Sequence, residues 1–254
     1  MSKSVYQPPY PMPEITGVYS NTQILRDLES GNIVIDPFIP EHVNGTSVDV
    51  TLGYNFYRVD QDTGSPGIYN PYDKDDVARY FGESLVAQPL NELGYLKKKL
   101  GTNALKGIPG EQPVIILRPG ERILGHTHEY IGIKHGTSSM QARSTTGRNG
   151  VAVCFDAGWG DPGFIGRWTM EILNLNEREH IPLPVGVRIA QVVFFHTGIV
   201  KGEYSSLSGK YQTESSDNLA GIKSNWKPSH MLPQAYRDVI LPPIPIKGQS
   251  AGIQ

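Results

Sequence analysis

The chain has 254 residues, a formal net charge of −2 and 38% hydrophobic residues, and this length can bury a core without covalent staples. Its one cysteine, Cys154, excludes an internal disulfide framework and a Cys-rich zinc site. The near-neutral charge argues against a nucleic-acid partner bound through bulk charge. The sequence has no run of 18 apolar residues and no apolar secretory segment, so we expect a cytoplasmic protein with no membrane partner.

A short helix is predicted directly after a Pro/Tyr-rich leader over residues 1–19. Ser20 and Gln23 have capping-box spacing, and Gly31 is a stop signal. The apolar residues of the intervening stretch should share one helical face; they are Ile24, Leu25 and Leu28.

From residue 33 the sequence changes to short runs rich in Val, Ile, Thr and Tyr, separated by Gly, Pro, Asn and Asp. No long helices alternate with these runs, which predicts an all-β fold, a distorted jelly-roll-like barrel or a sandwich. The runs are IVIDPF, TSVDVTLGYNFYRV, PVIILRPGERILGHTHEYIGI, GVAVCF, GRWTMEILNL and VRIAQVVFFHTGI.

Two segments depart from the strand pattern. Residues 71–107 contain two polar, helix-like stretches, at 76–81 and 91–100, which we interpret as an insertion on the surface of the domain. From about residue 213 the chain is rich in Ser, Asn and Pro, which predicts a tail over 213–254 that is disordered or lies on a neighbouring chain. The central domain is therefore expected over residues 20–212.

Glu171 is the most informative carboxylate of the sequence. In a strand over residues 166–174, Arg167, Thr169 and Glu171 alternate with Trp168 and Met170, so Glu171 lies on the face opposite the apolar side chains. If that face is partly covered, desolvation raises the pKa of the carboxyl and suits it to proton transfer near neutral pH. The alternative is a solvent-facing glutamate on a sheet that is buried on one side only.

Two polar stretches nearby have residue types that suit a nucleotide. Asp161-Pro162-Gly163-Phe164 is a turn sequence with a carboxylate at its start and an aromatic ring at its end. Arg143, Ser144 and Arg148 offer guanidinium and hydroxyl donors that suit phosphate oxygens.

Taken together and in order, these stretches resemble the trimeric dCTP deaminase and dUTPase superfamily, most closely its dCTP deaminases. The resemblance covers residues 44–212, about two-thirds of the chain. The matching stretches are NGTSVDVTLG, ARSTTGR, AGWGDPGFIG, WTMEILN, GVRIAQVVF and SGKYQ.

The resemblance implies a hydrolytic deamination of dCTP to dUTP and ammonia without zinc. Glu171 falls at the position of the catalytic glutamate, which takes a proton from the water that attacks C4 of cytosine. Ser144 and the carbonyl of Ala157 would hold this water, and Arg148 would orient the glutamate. The H-x-E and P-C-x-x-C motifs of zinc-dependent cytidine deaminases are absent from the sequence. Mg²⁺ is expected only as the partner of the triphosphate.

The resemblance also implies which residues bind the nucleotide. Asp161 would contact the sugar 3′-hydroxyl, and Phe164 would form a shelf under the deoxyribose that leaves no room for a 2′-hydroxyl. Backbone groups of Thr169 and Met170 would read the pyrimidine, and the late segment would close over the triphosphate. The full set is Arg143, Ser144, Thr145, Arg148, Asp161, Phe164, Thr169, Met170, Gln191, Tyr204, Lys210 and Gln212.

Members of this superfamily form homotrimers whose sites lie between subunits. We therefore expect a homotrimer that binds dCTP or dUTP, with Arg143 and the Arg148 region reaching across the interface.

The final product is a separate question. Asp161 matches the water-holding aspartate of dUTPases, and Gln191 lies in a dUTPase-like strand, so a bifunctional enzyme that forms dUMP is an alternative. Asp156 and Glu214 depart from the family pattern and add negative charge near the expected phosphates, which favours dUTP as the product. A plain dUTPase is a further alternative, but it would lack an equivalent of Glu171.

Two readings belong to other classes of protein. His126 and His128, preceded by Gly120, resemble part of a cupin metal motif, but the acidic residue and third histidine of that motif are absent. A catalytically inactive nucleotide-binding trimer is the other reading.

Overall fold

The computed structural model describes residues 17–59, 67–94, 98, 101, 104–202, 204, 209–212 and 214–239. Its helices are α1 (Asn21–Glu29), α2 (Lys74–Phe81), α3 (Ser144–Arg148) and α4 (Leu219–Asn225), with 3₁₀ turns at Pro40–His42, Leu90–Glu92, Pro228–Met231 and Ala235–Arg237. Its strands are β1 (Ile33–Asp36), β2 (Val48–Thr51), β3 (Asn55–Arg58), β4 (Leu85–Val86), β5 (Gln88–Pro89), β6 (Pro113–Leu117), β7 (Arg122–His126), β8 (Tyr130–Ile133), β9 (Thr137–Ala142), β10 (Val151–Ala152), β11 (Trp159–Gly160), β12 (Ile165–Gly166), β13 (Thr169–Asn174), β14 (Ile181–Pro184) and β15 (Arg188–Phe195).

Helix α1 begins and ends as the sequence predicts. The Ser20 backbone N–H donates to Gln23 Oε1 at 2.8 Å, and the Gln23 N–H donates to the Ser20 hydroxyl at 3.4 Å, which completes the capping box. Ile24 is fully buried, but Leu25 is 41% exposed. The prediction that Leu25 shares one helical face with Ile24 and Leu28 was therefore wrong, since Leu28 packs on the core with Ile24.

The fold is mainly antiparallel sheet, as predicted. The strands form four sheets in the orders β1-β8-β12, β10-β13-β7-β3-β4, β11-β9-β15-β2 and β14-β6-β5. Among the described residues these pairings do not close into one continuous barrel. No helix in the described ranges is long and apolar enough to cross a membrane.

The sheet around β13 is covered on both faces. On one face, Met170 and Ile172 are fully buried in the main core. On the other face, a second apolar cluster covers part of the sheet. Its buried members come from β3, β7, α2 and the tail; they are Tyr57, Val59, Val77, Phe81, Leu124 and Met231.

The insertion and the tail both pack on the chain's own sheets. Helix α2 buries Val77 and Phe81, and the insertion also supplies β4 and β5. The second helix predicted there, 91–100, begins as the 3₁₀ turn Leu90–Glu92, and its residues 95–97, 99 and 100 lie outside the described residues.

The tail corrects an expectation from the sequence. Residues 214–239 pack on the sheets of their own chain, since α4 buries Ile222 against Tyr130 and Ile165. Residues 1–16 of the leader and 240–254 of the tail lie outside the described residues.

Gly53 makes space for a buried histidine at the end of β7. The His126 ring is 1% exposed, and an added Cβ on Gly53 would lie 2.0 Å from His126 Cε1. His126 Nδ1 donates to the Thr127 carbonyl at 2.7 Å, while Nε2 accepts from the Asn55 N–H at 3.2 Å. The ring therefore cannot move aside without losing two hydrogen bonds.

We expect Gly53→Ala to lower the free energy of unfolding by about 1–3 kcal/mol, because it overpacks this site. Gly45→Ala is the matched control: a Cβ there meets no atom within 4 Å, so the change should stay within about 0.5 kcal/mol. Urea denaturation of both variants measures the difference. Equal stabilities would show that the His126 ring has room that the packing does not suggest.

Candidate active site

A cavity of about 750 Å³ lies against the face of the β7–β13 sheet that is opposite the main core. Its walls come from the strands, from the insertion and from the tail. Eight of the residues predicted from the sequence line it: Ala157, Asp161, Phe164, Thr169, Glu171, Tyr204, Lys210 and Gln212.

Glu171 lies in this cavity as a partly buried carboxylate. The strand alternation is confirmed, since Met170 and Ile172 face the core and Glu171 faces the cavity. Its Oε2 atom is buried and has no hydrogen-bond partner. Burial raises the pKa of the Glu171 carboxyl, and its backbone amide and the charge of Arg122 oppose this only in part.

Arg122 approaches Glu171 from the neighbouring strand. The register pairs Glu171 with Leu124 and Leu173 with Arg122, so Arg122 is the diagonal neighbour of Glu171 on the same face. Arg122 also lines the cavity. The charge of Arg122 therefore favours the ionised form of the Glu171 carboxyl within the same chain.

Cys154 is a buried neighbour of this carboxylate. Burial, and to a lesser extent the charge of Glu171, raises the pKa of the Cys154 thiol to about 12. The thiol is therefore protonated at neutral pH and adds no charge beside Glu171.

The predicted turn places Asp161 and Phe164 on the cavity wall. The Phe164 N–H donates to the Asp161 carbonyl at 3.1 Å, and Gly163 adopts φ +86°, which a residue with a side chain rarely takes at this turn position. The Phe164 ring stands edge-on to Trp168, with centroids 5.8 Å apart. The Phe164 ring is thus fixed by Trp168 of the main core, which lies behind it.

The late segment packs on this turn from the opposite side. The Gln212 amide is 7% exposed; it accepts from the Ile165 N–H at 2.7 Å and donates to the Gly163 carbonyl at 3.1 Å. The Tyr204 ring lies 5.3 Å from that of Phe164. Lys210 forms an ion pair with Asp238 of the tail. Gln212 therefore holds the turn in place, rather than offering a free amide to a phosphate.

The backbone of β13 has an open edge beside Glu171. Strand β10 pairs only with Leu173 and Asn174, so no other strand of the described chain covers this edge from Thr169 to Ile172. The Met170 side chain is fully buried, which leaves its backbone as the only part that a ligand could reach.

Besides Met170, five predicted residues lie outside this cavity in the single chain. Ser144 and Arg148 are exposed at the two ends of α3, and Gln191 is half-buried on β15. Arg143 and Thr145 line a second cavity of about 210 Å³.

Arg143 is held at this second position by a buried carboxylate. Asp49 is 2% exposed, and its Oδ2 atom lies 3.2 Å from Arg143 Nε and 3.0 Å from Arg188 Nη1. This pairing fixes the residue that precedes α3, and with it the direction in which α3 presents Ser144 and Arg148.

The two departures from the family pattern differ in position. Asp156 is exposed and does not line the cavity of its own chain, although the neighbouring Ala157 does. Glu214 does line the cavity, but its carboxylate accepts from Asn218 at 3.0 Å and from Asn225 at 2.8 Å.

The hydrogen bonds of His126 argue against the interpretation of this residue as a metal ligand. Both of its ring nitrogens are used by backbone groups, and burial lowers its pKa to about 4, so the ring is neutral. Within the described ranges, no group of three or more His, Cys, Asp or Glu side chains could hold a metal ion.

Several lining residues were not predicted from the sequence. Arg167 could have been found, because it lies four residues before Glu171 and the predicted strand alternation puts both residues on one face. Tyr69 of the insertion and Trp226 of the tail carry no local signal, since only the tertiary fold brings them to this wall.

A family model described as dCTP deaminase-like matches residues 18–197. The chain belongs to the dCTP deaminase-like family. A protein of Nanoarchaeum equitans named dCTP deaminase, dUMP-forming, is 28% identical over 82% of this chain and 97% of its own length. A dUMP-forming dCTP deaminase of Methanobrevibacter smithii is 34% identical over 70% of this chain and 79% of its own length. A dCTP deaminase of Haloarcula marismortui is 30% identical over 82% of this chain and 96% of its own length.

The raised pKa of Glu171 predicts that this residue destabilises the fold at neutral pH. A carboxyl whose pKa is higher in the folded state binds its proton more tightly there, so it stabilises at low pH, and this contribution is lost as pH rises through the folded-state pKa. We expect Glu171→Gln to raise the melting temperature near pH 7, by about 2–4 °C for each kcal/mol by which the free energy of unfolding increases. This advantage should shrink as the pH is lowered.

Calorimetry of the Glu171→Gln variant at several pH values measures this. Glu177→Gln makes the same chemical change at an exposed site and should leave the melting temperature unchanged. A Glu171→Gln variant that melts at the wild-type temperature at every pH would contradict the desolvation argument.

Proposed function

We propose that this protein deaminates dCTP hydrolytically and that Glu171 is the general base. The observation that carries the proposal is the Oε2 atom of Glu171, which is buried in the cavity without a hydrogen-bond partner. A buried carboxylate oxygen without a partner is costly unless a ligand or a water completes it. The membership in the dCTP deaminase-like family supports the same reaction.

The chemistry requires one water and the relay of both of its protons. Glu171 takes one proton from the water as its oxygen attacks C4 of cytosine and passes this proton to N3. The second proton leaves the new hydroxyl as the C4 carbonyl forms and goes, through the same carboxyl, to the departing amine, so that dUTP and ammonia are formed. A raised pKa suits a group that must both accept and donate a proton near neutral pH. The carbonyl of Ala157, on the same cavity wall, is proposed to hold the water.

The active unit is proposed to contain more than one chain. Ser144 and Arg148 are exposed and do not line the cavity of their own chain, so they can act at C4 only from a second copy. We propose a homotrimer in which α3 of one subunit approaches Glu171 of another. Trp159, 63% exposed at the rim of the cavity, is the kind of surface that such a contact would bury.

The nucleotide is proposed to lie along the cavity. The pyrimidine would contact the open edge of β13, the sugar would lie between Asp161 and Phe164, and the phosphates would extend towards Tyr204 and Lys210. Mg²⁺ is proposed to enter with the triphosphate as part of the substrate, and no set of protein ligands is assigned to it.

A second candidate function adds hydrolysis of the nucleotide to dUMP. Asp161 shares the cavity with Glu171, and two of the relatives described above are named dUMP-forming. Asp156 does not line the cavity of its own chain, which weakens the argument from its charge for dUTP as the product. Chromatography of the products formed from dCTP and Mg²⁺ separates the two candidates: accumulating dUTP favours the deaminase, and dUMP without free dUTP favours the bifunctional enzyme.

We expect Glu171→Gln to keep its fold and to lose deamination by about 10²-fold to 10⁴-fold or more, because the nearly isosteric amide cannot act as a base. Ammonia release from dCTP measures the effect, with Glu177→Gln as the active control. Undiminished release by Glu171→Gln would remove this residue from the mechanism. A wild-type protein that binds dCTP without turnover would instead support the inactive nucleotide-binding trimer.

We expect CTP to be a poor substrate, and Phe164→Ala to narrow the gap between dCTP and CTP in kcat/KM. The shelf excludes a 2′-hydroxyl through steric overlap and desolvation, and discrimination of this kind is worth about 1–3 kcal/mol, or 10-fold to 200-fold. Phe155→Ala removes an exposed ring outside the cavity and should preserve the discrimination. Equal kcat/KM values of the wild type for CTP and dCTP would show that Phe164 does not contact C2′.

A further inference from the structure

Arg167 lies in the cavity on the same face as Glu171. It connects β12 to β13, and the neighbouring Trp168 is fixed on both sides: its N–H donates to the Thr127 hydroxyl at 2.9 Å, and its carbonyl accepts from the Thr127 N–H at 3.0 Å. Trp168 faces the core, so the Arg167 side chain is directed to the cavity wall.

Two aromatic rings hold the Arg167 guanidinium. Its Cζ atom lies 4.8 Å from the centre of the Tyr130 ring and 4.7 Å from that of Trp226. A guanidinium stacked on aromatic faces keeps its N–H donors in the plane between them, where they can meet a planar or tetrahedral anion. The group is therefore oriented before any ligand binds.

No acceptor in the described part of the chain satisfies this guanidinium. Its Nε atom is buried without a hydrogen-bond partner, and no carboxylate there forms an ion pair with Arg167. Two lysines nearby are paired: Lys210 with Asp238, and Lys223 with Asp36 at 2.5 Å. Glu214, the carboxylate that the tail brings to the cavity, is held by two asparagines.

An unpaired and partly desolvated cation costs free energy, and a bound anion would offset that cost. The adjacent His126 does not supply a second charge, because burial, with a smaller contribution from the charge of Arg167, keeps its pKa low at about 4. His126 therefore adds no charge to the attraction that Arg167 offers to an anion.

We propose that Arg167 binds a phosphate group of the nucleotide. The inference rests on the proposed function for its choice of ligand. Because an extended segment rises by about 3.3 Å per residue, the Cα atoms of Arg167 and Glu171 are at most about 13 Å apart. A nucleotide whose base contacts Glu171 can thus bring its phosphates within reach of the arginine.

Isothermal titration with inorganic tripolyphosphate tests the site without catalysis. Arg167→Met should weaken binding about tenfold or more and reduce its dependence on salt. Arg167→Lys keeps the charge but loses the planar fork, and it should weaken binding to an intermediate degree. Lys223→Met is the matched control. It removes a cation that lies 6.0 Å from the centre of the same Tyr130 ring, but Lys223 does not line the cavity. This variant should therefore bind tripolyphosphate as the wild type does.

Steady-state kinetics distinguish a phosphate site from a purely structural arginine. Arg167→Met should raise KM for dCTP about tenfold with a smaller change in kcat, and it should leave the binding of deoxycytidine unchanged. Tripolyphosphate affinity within twofold of the wild type in both variants would overturn the proposal and leave Arg167 as a contact that holds the tail. If Arg167→Met does not fold, the Arg167→Lys titration decides.

The two proposals can fail separately. If the variants lose tripolyphosphate binding and the wild type does not turn over dCTP, the deaminase assignment is contradicted and the anion site is supported. Turnover of dCTP with unaltered KM in both Arg167 variants would keep the deaminase and remove the anion site.

Discussion

The structure of the site depends on one strand that is covered on both faces. On its inner face, β13 contributes Met170 and Ile172 to the main core, so the strand cannot rotate or slip without exposing them. On its outer face, the insertion and the tail cover the sheet beside Glu171. A carboxylate on an open sheet face would be solvated and would titrate in its ordinary range. The second cover partly desolvates the Glu171 carboxyl and raises its pKa.

That cover comes from sequence outside the segments that resemble the family. The tail residues that line the cavity include Trp226 and Met231, which follow the end of the family match at residue 197. Met231 packs with Phe81 of the insertion and Leu124 of β7, and Trp226 packs on Arg167 and on the His126 ring at 4.7 Å. The apolar contacts that fix the tail are therefore the same contacts that desolvate the site, which couples the stability of the tail to the pKa of Glu171.

The sequence was sufficient where the decisive interactions are local. A capping box spans four residues and a strand alternation spans six, so α1 and the orientation of Glu171 could be predicted. Strand β9, with the sequence TSSMQA, was missed because its polar composition does not indicate a buried strand, although it lies between β11 and β15. Strand β14 contains two prolines and was missed for that reason; it lies at a sheet edge, where the missing N–H groups are tolerated. The tail could not be placed, because its partners are distant in the sequence and range from Phe81 of the insertion to Ile165 of β12.

The distribution of charge explains why the predicted site residues fall into two groups. Asp49 is buried at the β2–β15 pairing and holds Arg143 and Arg188, which orients α3 away from the cavity of its own chain. Breaking this network would leave a buried carboxylate without a partner, so the orientation of α3 is strongly favoured. In the same chain, Glu171, Asp161 and Phe164 are fixed around the cavity by core packing and by the Gln212 amide. Each chain thus presents Glu171, Asp161 and Phe164 at one surface and Ser144 and Arg148 at another, which is the arrangement that the proposed assembly of several copies requires.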